Sequence, residues 1–536
     1  MINPKSIAVI DLFAGPGGLG EGFTSVKDSR NGHPFEIAIS VEMDPQAHRT
    51  LRLRSFYRQY RQLNRPVPES YYKVLRGELA AEDLVTRCPR MWEQATDEAF
   101  LGKLGETKDD EQFDLKLDKQ GLARRNQPVV LIGGPPCQAY SLVGRARNRG
   151  ISGYRAENDH RHLLYREYLR IISNVWPVAF VMENVKGILS SKVNSEKIFP
   201  RILEDLNNPS LALGQSVRSS ASNRYRLLPV SFDSPESSGL FNPESDDPSR
   251  FIVRCENHGI PQRRHRVFIV GVREDIKCDL PSISFKTHQT TVRDAIGDLP
   301  QLLSGISRRG GTNMSVWDAL NHGLSTTLLD EISTASNQHV SQRCRKSIQK
   351  IKSSNLATGS NFISYPVTPP VDTLAQWYHD DRLDGFCNHM SKSHMPTDLV
   401  RYLYASAYAQ QMGNSPKLSQ FPDSLLPAHK NASPKSGQSA IFNDRFRVQL
   451  WDSPATTVTS HLAKDGHYFI HPDPTQCRCL SVREAARIQT FPDNYYFCGP
   501  RTSQYQQVGN AVPPLIANQI ASSLLQCLRS AGVTDS

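Results

Sequence analysis

Residues 7–20 have the sequence IAVIDLFAGPGGLG, an apolar run broken only by Asp11 and followed by a glycine-rich turn. Such a run is typical of a strand that is buried on both faces. The turn satisfies the dinucleotide fingerprint GxGxxG, whose glycines let a ligand approach the backbone closely. A second strand, Phe35 to Val41, ends at Glu42, 20 residues beyond Gly22, where a carboxylate can hold ribose hydroxyls. This pattern predicts an adenosine cofactor and, taken alone, fits NAD as well as S-adenosylmethionine.

Strands and helices alternate through the first half of the chain. Apolar runs recur at 129–132, 178–182 and 266–272, and a helical pattern extends from Leu163 to Val175. This alternation predicts an α/β fold with a mostly parallel, doubly wound sheet.

The chain of 536 residues is too long for one compact core. We expect a first domain at 1–278, with a helical basic insertion at 51–127, and a smaller, irregular domain at 279–475. The segment 476–536 regains a helical pattern and is expected to return to the first domain.

The bulk composition limits the class of protein. A net charge of +10 and a pI near 9.0 favour a polyanionic partner, although a basic enzyme with a small substrate has the same charge. No run approaches the ~18 apolar residues of a membrane span, and the N-terminus resembles a strand rather than a signal peptide. Ten scattered cysteines do not form a disulfide framework, which predicts a reducing compartment. We expect no metal; a cluster of Cys387, His389, His394 and His379 is the alternative to a polar surface loop.

An arginine series marks the insertion. Arg54, Arg58, Arg61 and Arg65 recur at helical spacing, which puts them on one face of a helix. Such a stripe suits a phosphate backbone, and a solvated helix face is the equal alternative.

A cysteine follows the third core strand directly. Cys137 stands behind Pro135 and Pro136, which stiffen its approach, although a free cysteine is more often a small buried hydrophobe. Farther along, Glu183 ends the strand at 178–182, where doubly wound folds place ligands. Arg264 and Arg266 flank His265 at a strand entry, so their side chains share a face.

In this order, these motifs resemble those of cytosine carbon-5 DNA methyltransferases. The resemblance covers roughly the first 275 and the last 55 residues. It rests on DLFAGPGG (11–18), GGPPCQAYS (133–141), 159–164, ENV (183–185), QRRHR (262–266), 483–493 and QVGNAV (507–512).

The resemblance implies a Rossmann-like methyltransferase domain, with residues 279–475 as the target-recognition domain. The implied catalytic residues are Cys137, Glu183, Arg264 and Arg266. The implied cofactor, S-adenosylmethionine, would contact Asp11, Phe13, Gly15, Gly17, Gly18, Glu42, Pro135, Leu164, Asn510 and Val512. Nucleic acid would contact Gln138, Ser141, Arg145, Arg147 and Gln262. Arg263 is expected to point outward, and Arg483, Arg487 and Gln489 to be structural.

The chemistry explains these residue types. Carbon 5 of cytosine becomes nucleophilic when a thiolate adds to carbon 6, the role of Cys137. Glu183, at least transiently protonated, would meet ring nitrogen 3 and the exocyclic amine. Arg264 and Arg266 would bond the base carbonyl, the flipped nucleotide's phosphate and Glu183. Because a stacked base is out of reach, it must be flipped, and the glycines and arginines of 141–154 suit a loop that closes over DNA.

The predicted function is therefore methylation of cytosine in a specific sequence of double-stranded DNA. We expect a monomeric, cytoplasmic, nucleoid-associated enzyme without membrane contact, accompanied by a cognate restriction endonuclease or defence-system proteins. The alternatives are a tRNA cytosine-5 methyltransferase and a catalytically silent DNA-binding relative. The second is opposed by the intact Cys137, Glu183, Arg264 and Arg266. A third alternative, an NAD-dependent dehydrogenase, agrees with the glycine turn but not with the other motifs.

Overall fold

A computed structural model describes residues 6–28, 32–123, 127–136, 160–193, 196–215, 224–230, 247–307, 314–366, 373–427 and 443–534. Its strands are β1 (Ile7–Leu12), β2 (Phe35–Glu42), β3 (Ala99–Leu101), β4 (Val129–Gly133), β5 (Ala179–Val185), β6 (Lys192–Val193), β7 (Glu196–Lys197), β8 (Tyr225–Leu228), β9 (Ile252–Arg254), β10 (Gln262–Arg263), β11 (His265–Arg273), β12 (Gly305–Ile306), β13 (Gly359–Ser364), β14 (Gly385–Met390), β15 (Ser393–His394) and β16 (Ala455–Thr456).

The helices of the described residues are α1 (Gly18–Thr24), α2 (Pro45–Gln62), α3 (Glu69–Leu75), α4 (Leu84–Arg87), α5 (Pro89–Glu98), α6 (Thr107–Lys119), α7 (His160–Val175), α8 (Phe199–Asn207), α9 (Pro209–Ala212), α10 (Val292–Ile296), α11 (Val316–Gly323), α12 (Thr326–Ala335), α13 (Gln338–Ser353), α14 (Thr373–Tyr378), α15 (Pro396–Met412), α16 (Val482–Ile488), α17 (Arg501–Asn510) and α18 (Pro514–Ser530). None of them is long and apolar enough to cross a membrane.

The predicted mostly parallel sheet is confirmed. Eight strands form it in the order β3-β2-β1-β4-β5-β11-β8, with β9 also paired to β11. The neighbours from β3 to β5 are parallel, whereas β11 runs antiparallel to β5 and β8. Every residue of β1 is buried because apolar layers cover both faces of the sheet. The strand order reverses between β1 and β4, and at such a point ligands bind beyond the carboxyl ends of the strands.

The insertion after β2 is helical, as expected, but its arginine series is not a phosphate-binding stripe. Helix α2 begins at Pro45, capped by the Asp44 side chain, which accepts from the N–H groups of Gln46 and Ala47. Arg54 and Arg58 of this helix are buried in ion pairs with Glu21 and Glu98. Of the four arginines only Arg61 and Arg65 are exposed, and Arg65 lies beyond the helix end. Packing of α2 against α1 and α5 therefore decides the environment of this face.

The region 279–475 is more regular than the sequence predicts. Helices α11, α12, α13 and α15 pack around an apolar cluster of their own. The first turns of α11, α12 and α13 are capped by Ser315, Ser325 and Asn337, whose side chains accept from backbone N–H groups. Helix periodicity in this region is present but is interrupted by the Gly, Ser and Pro residues between the helices.

The C-terminal helix α18 packs on α1, beside β1. A side chain at Gly18 would overlap the backbone carbonyl of Val512, and one at Gly22 would overlap Ala517 and the Pro514 carbonyl. The two glycines, one helical turn apart, therefore let the backbones approach closely. Cys278 and Cys527 form a disulfide that joins the segment after β11 to α18, a pairing that the sequence does not predict.

Candidate functional site

The turn after β1 forms an open cradle. Phe13 adopts a φ of 56°, rare for a residue with a side chain, and packs against the core beside Leu12. Gly15 also has a positive φ, and nothing lies within 4 Å of where its Cβ would be. Glu42 at the end of β2 accepts hydrogen bonds from the N–H groups of Gly15 (2.8 Å) and Asp44 (2.7 Å). Burial raises the pKa of Glu42. Both carboxylate oxygens keep a lone pair free for a hydroxyl donor.

Asp11 does not line this cradle. Its side chain is fully buried, and Oδ2 lies 2.9 Å from where a Cβ on Gly20 would be. Neither oxygen has a hydrogen-bond partner among the described residues. Burial raises the pKa of Asp11 to about 7, against the opposing effect of the Arg58 cation. The geometry therefore does not support a direct cofactor contact and leaves Asp11 beneath the turn.

The loop after β4 passes directly over the end of β5. Glu183 Oε2 lies 3.0 Å from where a Cβ on Gly134 would be, so the loop and this carboxyl group are in close contact. The Asn184 amide donates to the Pro135 carbonyl (3.2 Å). These contacts follow from the parallel register that pairs Gly133 with Met182. Cys137 follows Pro136 directly but lies outside the described residues, as do Gln138, Ser141, Arg145 and Arg147.

Glu183 and Arg266 form an ion pair at this edge of the sheet, with 3.1 Å between Arg266 Nε and Glu183 Oε1. Antiparallel pairing of β11 with β5 sets Arg266 opposite Val185 and Phe268 opposite Glu183. The two side chains are 14% and 13% exposed, so the pair still reaches solvent. It is therefore accessible to a substrate placed over the strand ends.

Arg264 is not part of this pair, which corrects the expectation that it bonds Glu183. It is buried and donates to the carbonyls of Val458 (2.8 Å) and Ala511 (2.8 Å). Burial, and then the Arg266 cation, lower the pKa of Arg264. Although only two residues apart, the arginines diverge because Arg264 lies between β10 and β11 rather than in a continuous strand. Arg264 instead ties the 458 and 511 segments to the sheet.

Gln262 is likewise unavailable for the nucleic-acid contact expected of it. Its amide group donates to the Ile488 carbonyl (3.0 Å) and to Gln489 Oε1 (2.6 Å), and its oxygen accepts from the Val458 N–H (3.1 Å). The side chain is completely buried. Arg263, which lies between Gln262 and Arg264 in the sequence, is exposed, as predicted.

The other predicted cofactor residues occupy different environments. Leu164 on α7 is buried in the same apolar cluster as Leu12. Val512 is buried where its backbone meets Gly18, and Asn510 is exposed at the end of α17. Gly17 has a φ of 97°, which favours glycine. A side chain there would meet Leu51 and Tyr495.

The sequence analysis missed a buried charged network beneath the turn. Arg54 donates to both Glu21 oxygens (2.8 and 2.5 Å) and to Asn494 Oδ1 (2.8 Å). The Tyr495 hydroxyl donates to the Pro16 carbonyl. The only sign of this network in the sequence is the aromatic run at 495–497, which follows the segment 483–493. The cofactor turn thus depends on residues nearly 480 positions away.

Arg483 and Arg487 are structural, as predicted. Arg483 donates to the carbonyls of Cys387 (2.8 Å) and Tyr495 (2.6 Å), and Arg487 pairs with Asp493 at 2.7 Å. Gln489 donates to the Val508 carbonyl (2.7 Å).

The alternative metal cluster is not assembled. No group of three or more metal-ligating side chains occurs among the described residues. His389 lies between Ser481 Oγ (2.9 Å) and the Pro300 carbonyl (2.8 Å), and Cys387 contacts the Leu75 carbonyl.

Three groups of residues therefore lie at adjacent strand ends. The turn after β1 with Glu42 offers a cradle for an adenosine. The Gly134–Pro136 loop leads to a cysteine, and the Glu183–Arg266 pair offers an acid and hydrogen-bond donors for a polar heterocycle.

Comparison with known proteins agrees with this geometry. The family model described as C-5 cytosine-specific DNA methylase matches residues 105–212 and 248–526. Type II methyltransferase M.Bpa9945I of Bacillus paralicheniformis is 33% identical, covering 96% of this chain and 98% of the relative. Type II methyltransferase M.AgeI of Thalassovita gelatinovora is 27% identical over 74% of this chain and 83% of the relative. M1.HphI of Haemophilus parahaemolyticus is 25% identical over 98% and 88%.

Proposed function

Because the chain belongs to the C-5 cytosine-specific DNA methylase family, we propose that it transfers a methyl group from S-adenosylmethionine to carbon 5 of cytosine in a specific sequence of double-stranded DNA. The observation that carries the proposal is the contact between the ends of β4 and β5. There the loop leading to Cys137 lies against Glu183, which Arg266 holds from the other side.

The residues present fit the cofactor. The space above Gly15 admits a ligand against the backbone, and Glu42 has acceptor capacity for two ribose hydroxyls. Phe13, Gly15 and Glu42 would hold the adenosine, with Pro135 and Leu164 on the β4 side. When bound, S-adenosylmethionine supplies the methyl group that carbon 5 receives.

The protein's own residues prepare the base. The Cys137 thiolate adds to carbon 6, and the electron pair of the 5,6 double bond becomes available at carbon 5. As the thiolate adds, protonated Glu183 donates its proton to nitrogen 3 and accepts a hydrogen bond from the exocyclic amine, and Arg266 fixes the orientation of that carboxyl group. After methylation, transfer of the carbon 5 proton to a base such as water expels the Cys137 thiolate and restores the aromatic ring.

The base must leave the duplex to reach these groups, at a cost of a few kcal/mol. We assign Gln138, Ser141, Arg145 and Arg147, which follow Cys137, to contacts with the opened DNA. Residues 279–475 are proposed as the target-recognition domain. We also propose that the enzyme acts as a monomer on nucleoid DNA in the cytoplasm, beside a cognate endonuclease or defence system.

Bisulfite sequencing tests this function. DNA from a methylation-free host that expresses the wild type should show protected cytosines within one short motif, and Cys137→Ala should show none. A folded wild-type protein that protects no DNA cytosine would overturn the proposal. Protected cytosines in RNA of the same cells would instead favour the tRNA alternative.

A further inference from the structure

Helix α13 carries an unusual concentration of positive charge. It contains five Lys and Arg residues and no Asp or Glu. His339, Arg343, Lys346 and Lys350 are separated by four, three and four positions, so they share one face of the helix. Val340, Cys344, Ile348 and Ile351 bury another face in the helical core. Core packing therefore holds the cationic face in place.

This face forms one wall of a cleft of about 840 Å³, whose other wall includes Arg293, Trp451 and Asp473. Two of the three acidic groups that line the cleft, Asp298 and Glu484, are in ion pairs, and the third, Asp473, accepts hydrogen bonds. Asp298 pairs with Arg487 at 2.5 Å, Glu484 with Arg478 at 2.6 Å, and Asp473 accepts from the Thr475 N–H at 2.9 Å.

The cations of α13 lack such partners. Within the described ranges, Arg343, Lys346 and Lys350 have no ion pair with a carboxylate. The two Nη groups of Arg343 donate to Gln410 and Gln411 (3.1 Å each), and its buried Nε has no partner among the residues that the structure describes. Against the single carboxylate of Asp473, these three cations leave the lining of the cleft with a net positive charge, which attracts an anion.

We propose that this cleft binds the phosphate backbone of duplex DNA beside the recognised sequence, an inference that rests on the proposed function. Seven residues of helix separate Arg343 from Lys350, about 10 Å along its axis. Successive phosphates of one strand advance 3.4 Å along the duplex, so the stripe spans roughly three of them.

The cleft is close enough to the strand ends for one duplex to reach both. Trp451 lies four residues before Ala455, which pairs with Gln262 in β16–β10, and Gln262 lies four residues before Arg266. With 3.8 Å between successive Cα atoms and about 5 Å between paired strands, Trp451 lies at most about 35 Å from Arg266. That distance is about one turn of B-DNA.

Binding of a 30-base-pair duplex of arbitrary sequence, measured from about 50 to 200 mM salt, tests the cleft. The slope of log K against log salt is negative, and each lost phosphate contact lowers its magnitude by about 0.9. Lys346→Gln/Lys350→Gln should therefore lower it by about 2, and Lys350→Gln alone by about 1. Arg345→Gln is the matched control, because Arg345 is exposed on the same helix but does not line the cleft. It should keep the wild-type slope.

Bisulfite sequencing of the same proteins separates this inference from the proposed function. The double variant should methylate more slowly, because it binds DNA less tightly. It should still methylate the wild-type motif, because phosphate contacts carry no sequence information. An unchanged salt slope in a double variant that unfolds at the wild-type temperature would overturn the cleft inference, while wild-type methylation would leave the proposed function intact. Absence of methylation by the wild type would overturn the proposed function instead.

Discussion

Arg263 and Arg266 stand three residues apart in environments that predict opposite consequences of substitution. Arg266 contacts Glu183, whereas the Arg263 side chain is exposed. Removing a preorganised donor from a reacting group typically costs 10²–10³-fold in rate. We expect Arg266→Ala to lower single-turnover methylation by about 100-fold, and Arg263→Ala to change it less than about threefold.

Duplex affinity and urea unfolding would be measured on both arginine variants. Equal rate losses for the two would show that general charge, rather than the pair with Glu183, governs catalysis.

The raised pKa of the buried Asp11 predicts that the free energy of unfolding depends on pH. Burial raises its pKa from 3.8 to about 7 in the folded protein. Between those pH values the folded state binds a proton that the unfolded state has released, so this group's contribution to stability falls as pH rises from about 4 to 7. Asp11→Asn does not titrate. The variant should therefore gain stability relative to wild type between pH 5 and pH 8, by at most about 3 kcal/mol.

Urea midpoints at the two pH values measure this gain. Asp330→Asn, which changes an exposed carboxylate on α12, should show none. A constant difference between Asp11→Asn and wild type would contradict the burial of a protonated Asp11.

Among the elements, the contact of α1 with α18 depends on the absence of side chains. A Cβ at Gly22 would overlap Ala517 and the Pro514 carbonyl, and backbone cannot move as a flexible side chain can. Overpacking costs typically 1–3 kcal/mol. Gly22→Ala should lower the free energy of unfolding by about that amount in urea denaturation, whereas Ser522→Ala, on the exposed face of α18, should not. Wild-type stability of Gly22→Ala would mean that the helices are not in contact.

Helix α2 offers two ion pairs of opposite character. Arg58–Glu98 is buried, with both side chains 4% exposed, while in Arg49–Glu82 they are 46% and 57% exposed. Removing one partner of a buried pair strands the other charge and costs about 3–5 kcal/mol, whereas an exposed pair contributes about 0–1 kcal/mol. Glu98→Gln should therefore destabilise the protein far more than Glu82→Gln, as measured by urea unfolding. Similar losses would refute the buried location of Arg58.

On the scale of the whole molecule, the cradle joins distant parts of the chain. Glu42 bonds the turn from β2, Tyr495 bonds it from the C-terminal segment, and α18 packs beneath it. A ligand that binds only this folded arrangement stabilises all of it. At 100 times its Kd, S-adenosylmethionine should raise the free energy of unfolding by about 2.7 kcal/mol.

Glu42→Gln tests the site of that effect, because it replaces the carboxylate with an amide of similar size. The variant should show a smaller shift at the same cofactor concentration in thermal unfolding. No shift for the wild type at saturating S-adenosylmethionine would argue against the assigned cradle.

Local patterns were sufficient for the five longest strands of the sheet, but not for the short strands β3, β8 and β9. The buried strands β1, β4 and β5 are apolar runs, and the glycine turn is a local requirement of the backbone. The sequence places Glu183 at the carboxyl end of a strand, where doubly wound folds bind ligands. Arg266 stands at the start of β11 and reaches the same edge only because β11 runs antiparallel to β5, which the tertiary structure decides.

Long-range packing decided the environments of the remaining polar residues. Arg54, Arg58, Gln262 and Arg264 have the composition of a nucleic-acid surface, yet all four are buried. Their partners come from elements far away in sequence, such as Asn494 for Arg54 and Ala511 for Arg264. A buried and an exposed arginine have the same local sequence pattern, because burial depends on which distant segment packs over the side chain, and only the folded chain brings that segment into contact.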